Sequence, residues 1–213
     1  MLMTRYFVLL QLPHSAGEMI RAACFEQLPR EAFIPNDLLP ITPYEEIGDD
    51  FGDLPAFAVV RNPWDWYVAW YDGAMRSGTR APKIWESAFG GGRSDFRTAL
   101  IRACTGEAFR SELTEELVRE LGIDHYSALH ERIVKSGKHS RPVEIGHFER
   151  LAEDWGDFLA SHGVPIAEQV TESLRRRLAT VETADYRARY DEELRGLIAT
   201  RARRLISEYG YEF

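Results

Sequence analysis

The segment from Phe7 to Cys24 most constrains what this 213-residue chain can fold into. An apolar run ends at Pro13, small residues follow up to Gly17, and a helix-favouring run continues to Cys24. This order predicts a buried strand, a tight turn and a helix. The start of such a helix carries unpaired N–H groups and the positive end of the helix dipole, so it favours an anion such as a phosphate group.

A second segment, from Phe57 to Tyr71, repeats this layout. Four apolar residues are followed by Arg61 and then by a helix-favouring run with Pro63 near its start, where helices tolerate proline best. The repetition predicts two strand ends that can each hold an anionic group. We therefore expect a ligand with two phosphate-like groups.

The alternation of strand-like and helix-like runs predicts the fold class. It favours a parallel sheet that is covered by helices on both faces. Strands are predicted at residues 5–12, 32–34, 56–60 and 142–147. Helices are predicted at residues 18–28, 62–75, 95–104, 112–121, 124–135, 148–162 and 186–209. We expect an α/β protein with a P-loop-like parallel sheet flanked by helices, a helical C-terminal half, and a single domain over residues 1–213.

In sheets of this kind, ligands bind beyond the carboxyl ends of the strands. The turn that contains Pro13, His14 and Ser15 follows one predicted strand, and Arg61 follows another. These residues are therefore the first candidates for a binding site.

Composition narrows the choice of partner and compartment. The formal net charge of −8 argues against a nucleic-acid-binding surface. The apolar run from Tyr6 to Leu12 is too short for a membrane span and lacks the pattern of a signal peptide, so we expect a cytoplasmic protein with no membrane partner. Cys24 and Cys104 lie in apolar, helix-like contexts that favour two buried thiols, and we expect no metal site.

Four segments resemble the sulfotransferase family, and are closest to its carbohydrate and small bacterial branch. Residues 12–17 resemble the loop that binds the 5′-phosphosulfate group, and residues 60–71 are similar to the segment that binds the 3′-phosphate. Residues 145–151, together with Asp154, resemble the Arg-Phe-Glu-x-Leu element of the family. Residues 186–213 resemble its C-terminal helix and tail.

The resemblance implies transfer of a sulfuryl group from 3′-phosphoadenosine 5′-phosphosulfate to a hydroxyl or amine of a small molecule or sugar, which leaves 3′,5′-adenosine bisphosphate. Implied nucleotide-binding residues are Pro13, His14, Ser15, Ala16, Gly17, Glu18, Arg61 and Ala69. Trp66, Trp70 and Tyr71 are candidates to bind the acceptor. His14 and the carboxylate of Glu46 are the candidate catalytic groups.

The chain departs from the family pattern at the positions that carry the chemistry. His14 stands where the family has a lysine, Glu18 where it has a threonine, and Ala69 where it has a serine. His147 replaces the arginine of the Arg-Phe-Glu element. The segment between the two phosphate motifs contains no histidine that could act as the base, which leaves its carboxylates.

These departures leave two other functions open. One is an enzyme on the sulfotransferase fold that acts on a different metabolite, and the other is a non-catalytic binding protein. Single residues also have simpler interpretations: Arg61 in an ion pair, Ser15 as a helix cap, His147 in a structural role and the aromatic residues as packing. The sequence leaves the oligomeric state open.

Overall fold

The structure, a computed structural model, describes residues 1–35, 53–77, 94–105, 112–135, 142–181 and 185–213. The chain divides into two compact units. Unit 1 comprises Met1–Arg61 and Ile133–Thr183, and unit 2 comprises Asn62–Arg132 and Ala184–Phe213.

The sheet has four strands in the order β1 (Leu2–Met3), β2 (Val8–Leu10), β3 (Ala56–Val60) and β4 (Val143–His147). In chain order the helices are α1 (Gly17–Gln27), α2 (Pro63–Ser77), α3 (Phe96–Thr105), α4 (Glu112–Leu121), α5 (His125–His130), α6 (Leu151–Ser161), α7 (Ala167–Leu178), α8 (Glu192–Arg201) and α9 (Arg203–Tyr209). Single turns of 3-10 helix cover Arg30–Ala32, Phe148–Arg150 and Tyr186–Arg189, and a π-helical turn covers Glu131–Lys135.

The sheet lies in unit 1 and is mixed, although most of it is parallel. β2, β3 and β4 run parallel, as predicted, whereas β1 pairs antiparallel with β2. Only residues 4–7 separate β1 from β2, and a connection this short permits an antiparallel hairpin but no parallel crossover. The predicted α/β class is confirmed, and the all-parallel sheet is corrected to a mixed one.

The core of unit 1 lies between one face of the sheet and helices α1, α6 and α7. Aromatic rings dominate it: Phe57 of β3 lies 5.1 Å from Trp155 and 4.8 Å from Phe158, measured between ring centroids. All five residues of β3 are buried, so both faces of this strand are shielded from water. Continuous apolar strands of this kind are typical of parallel sheets.

Unit 2 is built around the aromatic side chains of α2. The ring of Trp66 stacks on that of Tyr126 at 4.5 Å. Tyr67 donates a hydrogen bond of 2.8 Å to the Asp124 carboxylate, which also caps α5 by accepting from the backbone N–H groups of residues 126 and 127. Burial, and after it the negative charge of Asp124, raises the pKa of the Tyr67 hydroxyl well above its ordinary value.

Three parts of the predicted secondary structure are wrong. The predicted strand at residues 32–34 is a 3-10 turn followed by a single bridge between Thr4 and Phe33. The predicted long helix at residues 186–209 is a 3-10 turn and two helices, because Asp191 caps α8 anew and Ala202 leaves the helical conformation before α9. Helix α7 was not predicted at all.

Both cysteines are free and buried, as predicted. Burial raises the pKa of the Cys24 thiol to about 12, so this thiol is protonated at neutral pH. Within the described ranges, no three side chains of the metal-binding types come together. None of the described helices is both long and apolar enough to cross a membrane.

We expect the substitution Gly146→Ala to destabilise the fold. An added Cβ at this position would lie 2.4 Å from Cζ of Phe57, whose ring is fixed by Trp155 and Phe158. Overpacking of this kind costs about 1–3 kcal/mol, which urea unfolding would measure. The matched control is Gly196→Ala on the exposed surface of α8, where the added Cβ meets nothing within 4 Å and helix propensity gains about 1 kcal/mol. An unchanged unfolding free energy for Gly146→Ala would contradict this packing.

Candidate functional site

The carboxyl ends of β2, β3 and β4 lie side by side at one edge of the sheet in unit 1. Leu10 pairs with Ala58, and Val60 pairs with His147. The residues that follow these strands therefore meet at the same edge, which is where parallel sheets bind ligands. We call residues 13–18, Arg61, His147 and Phe148 the strand-end cluster.

The turn between β2 and α1 has an unusual backbone. His14 and Ala16 both adopt the left-handed conformation, with φ of 59° and 60°. For a residue other than glycine this conformation costs about 1–2 kcal/mol, so it persists only where the surrounding structure enforces it. Two such residues in one short turn mark it as a site where strain is stored.

The first turn of α1 fits an anion. Ala16 is the N-cap, and no side chain caps this helix. The N–H groups of Met19 and Ile20 bond to the carbonyl of Ala16, whereas those of Gly17 and Glu18 lie ahead of these first helical bonds. Backbone N–H groups in this position, at the positive end of the dipole, are suited to a phosphate oxygen.

Ser15 does not cap the helix, which was one of the two interpretations open from the sequence. Its side chain is buried, and its hydroxyl donates to the carbonyl of Pro13 at 3.4 Å. The bond stays within the turn. Ser15 therefore contributes to the shape of the turn. It does not occupy the N–H groups at the start of α1 as a side-chain cap would.

Glu18 introduces a negative charge beside this helix start, and the structure shows how that charge is balanced. Its carboxylate is 69% exposed and forms an ion pair of 3.0 Å with Arg21, one helical turn further on. Solvent and the arginine both screen it. Repulsion of a bound phosphate by Glu18 is correspondingly reduced.

Arg61 joins the three strand ends. Its Nη1 donates a hydrogen bond of 3.0 Å to the carbonyl oxygen of His14. Its guanidinium lies over the ring of Phe148, 4.0 Å from the ring centre, in a cation–π contact. Arg61 leaves the end of β3, so it bridges the turn after β2 and the turn after β4. The two segments that the sequence placed at neighbouring strand ends are thus in direct contact.

His147 also lies in the cluster; the sequence left open whether it would touch the site or have only a structural role. Its backbone N–H donates to Oδ2 of Asp154 at 2.7 Å, and its ring nitrogen Nδ1 lies 3.4 Å from the same oxygen. Arg150 holds the other carboxylate oxygen at 3.0 Å. The signal was present in the sequence, since His147 ends a predicted strand just as His14 and Arg61 follow theirs.

The predicted acceptor-binding residues lie on α2 in unit 2. Trp66 and Trp70 are 0% and 1% exposed, and their rings stack on each other. Both therefore pack the interior of unit 2, which is the simpler interpretation left open for them. Tyr71 is half-buried and donates its hydroxyl proton to the carbonyl of Ser94 at 3.1 Å. Ala69, on the same helix, is also half-buried.

Glu46, the predicted carboxylate base, lies outside the described residues. Of the two predicted catalytic groups, only His14 is therefore placed, half-buried in the turn after β2.

Comparison with protein-family models, with curated proteins and with solved structures finds no match to this chain. The functional evidence therefore comes from the residues of the strand-end cluster and from the motifs of the sequence.

We expect Ala16→Gly to stabilise the protein by about 0.5–1 kcal/mol, because glycine adopts a positive φ without steric cost. The matched control is Ala22→Gly in the interior of α1, which should destabilise by about 1 kcal/mol. Urea unfolding of the two variants would measure both free energies. If Ala16→Gly destabilises as much as Ala22→Gly, Ala16 does not hold the left-handed conformation.

Proposed function

We propose that this protein is a sulfotransferase that binds 3′-phosphoadenosine 5′-phosphosulfate at the strand-end cluster and transfers its sulfuryl group to a hydroxyl or amine of a small molecule or sugar. The observation that carries the proposal is the hydrogen bond from Arg61 to His14. It brings together the two segments that resemble the 3′-phosphate and 5′-phosphosulfate motifs. A ligand with two anionic groups would therefore find a separate set of hydrogen-bond donors for each group.

The chemistry of the donor set fits such a ligand. The N–H groups of Gly17 and Glu18 offer short, directed hydrogen bonds at the 5′ end. A guanidinium carries five N–H donors in a planar fork, which suits Arg61 to hold the loop and a phosphate oxygen together. The contact with Phe148 helps to hold the guanidinium in position.

Sulfuryl transfer resembles phosphoryl transfer in what it asks of a protein. The nucleotide supplies an electron-poor sulfuryl group, and negative charge builds up on the leaving phosphate oxygen. The protein must hold the reactants in line and place donors at that oxygen. In its protonated form His14 would donate there in place of the family's lysine, and the N–H groups of α1 would donate beside it.

A second candidate function is an enzyme on the same fold that uses a different small metabolite. The observation that favours it is the joint replacement at positions 14, 18 and 69, all within the implied nucleotide-binding set. This function requires no affinity for the nucleotide, so one binding measurement separates the two candidates.

We expect calorimetry to detect binding of 3′,5′-adenosine bisphosphate to the full chain, and Arg61→Ala to weaken that binding about 10- to 100-fold. The estimate follows from one lost charge-assisted hydrogen bond, about 1.5–3 kcal/mol. Arg61→Lys keeps the charge but loses the planar fork, so we expect an intermediate affinity.

The matched control is Arg175→Ala, which removes an exposed arginine of α7 that pairs with Glu172. It should bind like the unsubstituted protein. No heat of binding at millimolar ligand would reject the use of this nucleotide. Equal affinities for Arg61→Ala and Arg175→Ala would reject the role of Arg61.

A further inference from the structure

We propose that His147 is the general base that takes the proton of the acceptor, and that Asp154 is the positioning residue that orients its ring. This inference rests on the proposed function and assigns the base to β4 instead of to Glu46. The observation behind it is the double contact of one carboxylate oxygen with the backbone and the ring of His147.

His147 is held by Asp154 at two points, one on its backbone and one on its ring. The bond of 2.7 Å fixes its backbone, and the contact of 3.4 Å turns Nδ1 towards Asp154. The carboxylate itself is only 14% exposed and is held from its other side by Arg150. A carboxylate that is fixed in this way restricts the rotation of the ring that it faces.

This arrangement selects the tautomer of the ring. A carboxylate accepts but does not donate, so the nitrogen that faces it carries the proton. The proton is then on Nδ1, and the basic lone pair of the neutral ring is on Nε2. A carboxylate behind an imidazole also stabilises the imidazolium that forms when Nε2 takes up a proton.

The position of His147 in the sheet suits this role. It pairs with Val60, the residue before Arg61, and the next residue, Phe148, contacts the Arg61 guanidinium. His147 therefore belongs to the same edge as the phosphate-binding groups.

The two histidines of the cluster lie on opposite sides of β3, since His14 follows β2 and His147 ends β4. An in-line transfer needs a donor behind the leaving oxygen and a base on the opposite side, behind the attacking oxygen. The order of the strands therefore suits a division of roles in which His14 serves the leaving group and His147 serves the acceptor.

The proposed step forms one bond to sulfur and breaks another. The acceptor oxygen forms a bond to sulfur, and the bond from sulfur to the bridging phosphate oxygen breaks. Its electron pair stays on the phosphate, which leaves as part of 3′,5′-adenosine bisphosphate. The acceptor proton moves to Nε2 of His147, where the charge of the imidazolium is offset by Asp154. Loss of that proton to solvent restores the base.

The first test determines the tautomer of His147 by NMR and requires no catalytic turnover. In long-range proton–nitrogen spectra of the full chain labelled with ¹⁵N-histidine, assigned with His147→Gln, we expect neutral His147 to carry its proton on Nδ1. In Asp154→Ala the proton should move to Nε2, the form that neutral histidine favours in water. In Asp154→Asn an amide oxygen can still accept from both the backbone N–H and Nδ1, so this variant should keep the proton on Nδ1 and lose only the negative charge. A proton on Nε2 in the unsubstituted protein would overturn the proposal.

The second test measures transfer to 2-naphthol as the probe acceptor. We expect His147→Gln to lower kcat at least 100-fold and Asp154→Asn to lower it about 10- to 100-fold. Neither should change the affinity for 3′,5′-adenosine bisphosphate more than twofold. The matched control is His162→Gln, an imidazole of unit 1 that pairs with Glu144 at 2.6 Å, and it should transfer at the unsubstituted rate.

The outcomes separate this inference from the proposed function. If the unsubstituted protein binds the nucleotide and His147→Gln transfers at an unchanged rate, the assignment of the base is wrong while the sulfotransferase proposal stands. If the unsubstituted protein does not bind the nucleotide, both the assignment of the base and the sulfotransferase proposal are wrong. If it binds but does not use 2-naphthol, the tautomer of His147 decides the assignment.

Discussion

The hydrogen bond from the Arg61 guanidinium to the carbonyl oxygen of His14 is the contact on which the geometry of the strand-end cluster depends. A carbonyl in a left-handed turn points where no N–H group of a regular helix or strand would donate to it. Arg61 supplies that acceptor with a charged donor, the stronger class of hydrogen bond. The same guanidinium lies over the ring of Phe148, so one side chain joins the turns after three strands.

The turn between β2 and α1 is also held in place by the side chain of Gln11. The side chain of Gln11 donates to the carbonyl of Gly17 at 3.1 Å, and an added Cβ on Gly17 would lie 2.9 Å from Cγ of Gln11. Glycine is therefore required here for close packing. The backbone N–H groups of α1 are held in place by these contacts, and such preorganisation would lower the entropic cost of binding the proposed nucleotide.

The sequence was sufficient to predict the elements that carry a strong periodic or apolar pattern. β2, β3, β4, α1, α2 and α6 were predicted in this way, and with them the common edge where His14 and Arg61 lie. β1 is only two residues long and pairs through a hairpin, so it has no pattern of its own. The break between α8 and α9 depends on the conformation of Ala202 alone, which propensity does not reveal.

The contacts within the cluster were harder to predict than its position. The pairing of His147 with Asp154 joins a strand to a helix, and it depends on how α6 packs against β4. Likewise, the spacing of Trp66 and Trp70 on one helix face is equally compatible with a cleft and with a core. Only the stacking of Tyr126 on Trp66 decides between the two. Sequence patterns assign residues to faces, whereas packing between elements determines what those faces meet.

A crystal structure of the full chain with 3′,5′-adenosine bisphosphate would test the central claim most directly. The account predicts that the 5′-phosphate accepts from the N–H groups of Gly17 and Glu18, and that the 3′-phosphate contacts the guanidinium of Arg61 while its bond to His14 persists. A nucleotide bound away from the carboxyl ends of β2 and β3, or an Arg61 that makes no contact with either phosphate, would contradict it.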